Sequence, residues 1–111
     1  MSRYIPARGD IIYIDLDPAV GREIQKRRPA LVVSSQQFSR QTGFVWVCPI
    51  TSTIRGNNAE VAIEGDSVNG VAISIQLKSL DYQERNAEFV EKADQIAVET
   101  MTMLLQALLS D

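Results

Sequence analysis

Short apolar runs, broken at close intervals by glycine, proline and asparagine, leave this chain little freedom of architecture. In residues 11–17, Ile12, Ile14 and Leu16 fall on one side and Tyr13, Asp15 and Asp17 on the other, the alternation of a half-buried strand. Asp17-Pro18 ends it, because proline has no ladder donor and restrains the residue before it. A polar loop over 18–28 follows. Pro29 then opens a second strand, Ala30-Leu31-Val32-Val33-Ser34, apolar enough for burial on both faces. A turn or short helix at 36–40 stops near Gly43, before a strongly β-prone third strand, Phe44-Val45-Trp46-Val47-Cys48-Pro49-Ile50. Further strands are expected over 60–64, 71–77 and 87–90, with a turn at Gly65-Asp66 and a hairpin signal at Asn69-Gly70. Only the tail reads as a long helix. After Asp94, a candidate N-cap, the residues Ala97, Val98, Met101, Leu104, Leu105 and Leu108 recur at three- and four-residue spacing. That stripe suits core packing, with a share in a dimer interface as the sharper alternative. Strands first and one helix last predict a small antiparallel α+β barrel, a single domain over residues 1–111.

Composition narrows the chemistry. A chain of this length buries about two-thirds of the surface its unfolded form exposes, so a core needs no covalent staple. Cys48 is the lone cysteine and histidine is absent, which excludes an internal disulfide, a Cys/His zinc site and any triad needing an imidazole base. No apolar stretch approaches the roughly 20 residues that cross a bilayer, and Met1-Ser2-Arg3-Tyr4 opens no leader-like apolar run. The expected location is the cytoplasm. Net charge is −3, but it is unevenly spread: residues 1–55 carry eight Lys and Arg against four Asp and Glu, whereas 56–111 carry three against ten. Such a split is either two solvated faces or one surface for a polyanion and one not.

The succession Arg8-Gly9-Asp10-Ile11, Asp17-Pro18, Gly21-x-Glu23 and Arg28-Pro29-Ala30-Leu31-Val32-Val33-Ser34 resembles the MazF/PemK toxin family. The resemblance continues through Val47-Cys48-Pro49-Ile50-Thr51-Ser52, Gly70-Val71 and Gln76-Leu77-Lys78-Ser79-Leu80-Asp81, covering essentially the whole chain. It implies an SH3-like antiparallel β-barrel of the MazF/PemK/CcdB type with a C-terminal α-helix, assembled as a homodimer. It also implies an endoribonuclease of a toxin–antitoxin system. Such a toxin cuts single-stranded RNA, messenger RNA foremost, at short sequences and without metal or cofactor, inhibiting translation and growth. The implied partner is an antitoxin whose acidic C-terminal tail covers the RNA groove.

Metal-free RNA cleavage uses the substrate's own 2′-hydroxyl as nucleophile, so the protein must stabilise a dianionic pentacoordinate phosphorus. Without histidine, the available groups are carboxylates, guanidinium groups, hydroxyls and backbone N–H. The resemblance gives Arg28 the catalytic place, and its permanently charged fork of donors suits phosphate oxygens. Thr51, where the third strand ends, is the hydroxyl expected on the scissile phosphate, with Ser52 assisting; the plainer role is a turn hydroxyl bonding nearby backbone. Glu23 is either the base for the 2′-hydroxyl or the resting partner of Arg28, and four neighbouring cations are expected to lower its pKa. Arg22, Lys26 and Arg27 read as phosphate clamps, and Arg55 and Lys78 as further RNA contacts. Gln76 is a base-edge reader or a buried structural amide. Tyr82 is a candidate base stacker, whereas Phe44 and Trp46, though able to stack, are expected in the core.

Two positions depart from the family pattern. Many relatives read Glu-Gln-x-Gly where this chain has Glu23-Ile24-Gln25-Lys26, and many carry an acid or amide where this chain has Ile75. The first implies a stiffer loop or a different way of binding the target; the second removes one candidate base or base-reading group and implies a different recognised sequence. The alternative function is a non-enzymatic gyrase poison of the CcdB type, which shares the barrel; that branch ends in Trp-Gly-Ile, and this chain in Leu108-Leu109-Ser110-Asp111.

Overall fold

The structure is a computed structural model and describes residues 3–111. Seven strands form one curled antiparallel sheet, a half-barrel with a helix packed on one face. They are β1 (Asp10–Asp15), β2 (Arg27–Val32), β3 (Phe44–Thr51), β4 (Glu60–Glu64), β5 (Asn69–Ile73), β6 (Lys78–Asp81) and β7 (Glu88–Lys92). Two helices, α1 (Gln36–Thr42) and α2 (Gln95–Leu108), complete the chain. Spatial order along the sheet is β4-β5-β3-β2-β1-β7, with β6 also paired to β3.

The period-2 pattern explains the layers. Ile12, Ile14 and Leu16 pack with Ala30, Val32, Val45, Val47 and Leu80 on one side of the sheet. Ile11, Leu31, Cys48 and Ile50 project from the other side and meet Ala97 and Met101 of α2. Where both faces are covered, at Ala30–Val32 of β2 and Val47–Ile50 of β3, the strands are continuous buried apolar runs. Met101 is fully buried, and Cys48 lies against it with sulfurs 3.9 Å apart. Burial pushes the Cys48 thiol up to about 12, so it is a neutral core group at physiological pH.

Several boundaries differ from expectation. β2 begins at Arg27 rather than Pro29, because Asp15, Ile14 and Tyr13 of β1 pair with Arg27, Arg28 and Pro29. Asn69-Gly70 lies within β5 opposite Glu64 and Ile63; the turn precedes it, closed by Gly65 N donating to Val68 O at 2.9 Å. The single strand expected over 71–77 is two strands joined by a 3-10 turn at Ser74–Gln76. Both Ser74 N and Ser74 Oγ donate to Ala59 O, which turns the chain off β3. As a result β5 pairs with the end of β3 (Ile50, Thr51) and β6 with its start (Phe44 to Val47). Asp94 precedes α2 without a side-chain cap bond, whereas Ser35 caps α1 by accepting from Phe38 N.

Candidate active site

Two adjoining cavities run along the lip of the sheet where β2 begins and β3 ends. The first, about 630 Å³, is lined by Lys26, Arg28, Thr51 and Ser52, with Tyr13, Pro29, Ser67 and Asn69 among its other walls. The second, about 590 Å³, brings Arg22, Arg55 and Gln76 together beside Asn57, Glu60 and Ile75. Ile24, Thr51 and Thr53 line both, so the two form one groove with Thr51 at the join. Four cations face it, all from the basic first half of the chain.

Arg28 is exposed, and its Nε donates to Gln25 O at 3.1 Å; among the described residues its Nη groups have no hydrogen-bond partner. Thr51 is placed by the β3–β5 ladder, in which it pairs with Val71. Gly70 makes that close approach possible, since a Cβ there would lie 2.9 Å from the Thr51 carbonyl carbon. Thr51 Oγ1 accepts from Thr53 N at 3.1 Å, which leaves its O–H proton free to donate into the groove. The turn-hydroxyl role and the groove position therefore coexist.

Other candidates lie differently. Glu23 does not pair with Arg28: its Oε1 accepts from Val20 N at 2.9 Å and from Lys78 Nζ at 3.4 Å, and neither Glu23 nor Lys78 lines the two cavities. Its carboxyl is held below the usual range by the Val20 N–H first and Lys78 second, rather than by the four cations beside it in sequence. Arg27 points away from the groove, bonded to Asp15 at 3.1 Å and Glu88 at 2.6 Å, because neighbouring strand residues face opposite ways. Gln76, half-buried and lining the second cavity, has its Oε1 accepting from Ile24 N at 2.7 Å, which ties the 18–26 loop to the 3-10 turn. Tyr82 is buried in the core at 6% exposure and cannot stack on a base. Trp46 and Phe44 reverse the other way: at 41% and 43% exposed they stand on the outer face, with Trp46 edge-on to Phe38, and neither lines the groove.

Tyr13, Asn57 and Asn69 are groove residues that sequence reasoning passed over. Tyr13 was findable: it is the outward position of β1, and β-pairing sets it beside Pro29. Glu60 is also in the groove, but its carboxylate is occupied by Arg55 N and Gly56 N at 2.8 Å each, and those contacts, Arg55 N–H foremost, lower its pKa. Among the described residues no group of three or more His, Cys, Asp and Glu could hold a metal ion.

A curled antiparallel half-barrel with an arginine and a hydroxyl meeting in a cationic groove at its lip defines a narrow class. Residues 7–110 match the family described as PemK-like, MazF-like toxin of type II toxin-antitoxin system. Endoribonuclease toxin MazF of Escherichia coli (strain K12) is 38% identical over 87 residues, covering 78% of each protein. Endoribonuclease toxin ChpB of the same strain is 37% identical over 106 residues, 90% of each. Among solved structures, MazF from Deinococcus radiodurans superposes with a TM-score of 0.91 at 32% identity, covering 96% of this chain and 98% of that one. The chain belongs to the PemK/MazF toxin family.

Proposed function

We propose that this protein is an endoribonuclease toxin that cleaves single-stranded RNA, messenger RNA foremost, in the groove between β2, the end of β3 and the β4–β5 turn. The observation that carries the reading is that Arg28, whose Nη groups have no hydrogen-bond partner among the described residues, and Thr51, whose O–H donates to none of them, line one cavity. The 2′-oxygen attacks the adjacent phosphorus while the bond to the 5′-oxygen breaks, leaving a 2′,3′-cyclic phosphate and a 5′-hydroxyl. The 2′-proton leaves to solvent and water protonates the departing oxygen. Arg28 offers charge where the phosphorane gains it, and Thr51 donates to a non-bridging oxygen, both stronger in the transition state than in the ground state. Ser52, Lys26, Arg22 and Arg55 hold neighbouring phosphates, and Tyr13, 40% exposed, offers a stacking face. Glu23 fits best as the tie between the loop and Lys78, not as a base. The same cationic groove suits the acidic tail of an antitoxin, and a MazE–MazF complex from Deinococcus radiodurans has the same fold. The working unit is a homodimer, and the compartment is the cytoplasm.

Incubation with single-stranded RNA in excess EDTA is the test: cleavage should persist and yield cyclic-phosphate ends. Arg28→Ala should lower kcat by about 10²–10³ with an unchanged circular dichroism spectrum. Loss of cutting on chelation with recovery on Mg²⁺, or an Arg28→Ala protein as active as wild type, removes the proposal.

A further inference from the structure

We propose that Glu91 is a positioning residue that fixes the groove wall at residues 66–69 from the opposite edge of the sheet, with Gly65 providing the gap in which its carboxylate seats. This rests on the groove being the RNA site. The order β4-β5-β3-β2-β1-β7 puts the β4–β5 hairpin at one end and β7 at the other, and among the described residues no ladder joins them. A side chain does so instead. Glu91 Oε1 accepts from Asp66 N, and Oε2 accepts from Ser67 N and Val68 N, all at 2.9 Å. Three consecutive amides thus converge on one carboxylate, a charge-assisted arrangement stronger than neutral bonds.

The seat has no room to spare. A Cβ on Gly65 would lie 2.6 Å from Glu91 Oε2 and 2.9 Å from its Cδ, so any larger residue there displaces the carboxylate. Immediately downstream, Ser67, Val68 and Asn69 line the cavity that holds Arg28 and Thr51, and Gly70 packs on the Thr51 carbonyl. Position therefore passes from Glu91 to the turn, and from the turn to the wall facing Arg28. A wall contributes to holding RNA in ground and transition states alike, so its loss acts on affinity and spares the chemical step.

Glu91→Gln leaves one acceptor oxygen and turns an NH₂ donor toward amide donors. Gly65→Ala keeps the carboxylate and only expels it, which serves if Glu91→Gln fails to fold. Each variant is compared with wild type by amide hydrogen exchange, by binding to a mixed-sequence 2′-O-methyl single-stranded RNA that cannot be cut, and by cleavage of unmodified RNA. Exchange at Asp66, Ser67 and Val68 should accelerate about tenfold or more. Probe affinity should fall about fivefold and kcat should stay within about twofold. A lower melting temperature with unchanged affinity would make Glu91 merely structural and overturn the proposal, as would lost affinity with unchanged exchange. If wild type neither binds nor cuts RNA, the groove reading itself has failed and this inference with it; wild-type cleavage with variants that bind the probe as tightly as wild type overturns the Glu91 role alone.

Discussion

Thr51 Oγ1 takes the Thr53 N–H, and its own O–H donates to none of the described residues, at the join of the two cavities. The carboxylates are spent elsewhere: Glu60, in the groove, on backbone amides of residues 55 and 56, and Glu23, off the groove lining, on Val20 N and Lys78. Both have depressed pKa values, so each stays ionised down to pH values below the ordinary glutamate figure of about 4.3. The stability those bonds confer is present above the unfolded pKa and lost as pH falls through the lower folded value. It follows that neither glutamate titrates near neutrality, and guanidinium groups keep their charge throughout. The cleavage rate should therefore climb steadily between about pH 6 and 9, tracking loss of the 2′-proton to hydroxide, without the bell of an acid–base pair. A rate maximum near pH 7 would reveal a titrating catalyst and defeat this account. The depressed Glu23 was foreseeable from sequence, but for a different reason: its first cause is the Val20 N–H three residues back, and its second, Lys78, lies 55 residues away and becomes a neighbour only through the fold.

At the level of elements, β1 and β3 were readable because period-2 alternation and β-branched runs are local signals, and α2 because its apolar stripe is long. The strand over 71–77 misled because the bonds from Ser74 to Ala59 that break it are tertiary. Phe44 and Trp46 misled because β3 is buried at its end and open on one face at its start. The loop before β2 is more instructive still. Lys26 has φ 70°, a left-handed conformation, held by its N–H on Asp17 Oδ1 at 3.0 Å and its carbonyl accepting from Leu16 N at 2.8 Å. A side chain at this left-handed position keeps a charge in the groove at a conformational cost of about 1 kcal/mol. Lys26→Gly should raise the melting temperature by roughly 4 °C. A fall in melting temperature would mean that the lysine side chain packs more productively than its backbone is strained.

Across the whole molecule, a net negative protein concentrates its positive charge where the sheet opens. Arg22, Lys26, Arg28 and Arg55 reach the groove, and Arg27, locked to Asp15 and Glu88, does not. If those four neutralise four phosphates, log affinity against log salt should slope at about −3, at some −0.7 per phosphate for a single strand. A slope near zero, measured by fluorescence anisotropy from low to high NaCl, would move RNA off this surface. The chain's division into basic and acidic halves hinted at such a face, but not which cations share it, since strand alternation separates residues adjacent in sequence.

Arg28 and Thr51 stand on paired strands, whereas much of the rest of the groove lining sits on the connections at 20–26, 52–59 and 65–68. On the proposed reading, substitutions in those connections should shift RNA preference while leaving Arg28 and Thr51 in register. Descendants of this scaffold can thus diverge in vocabulary without relearning their chemistry.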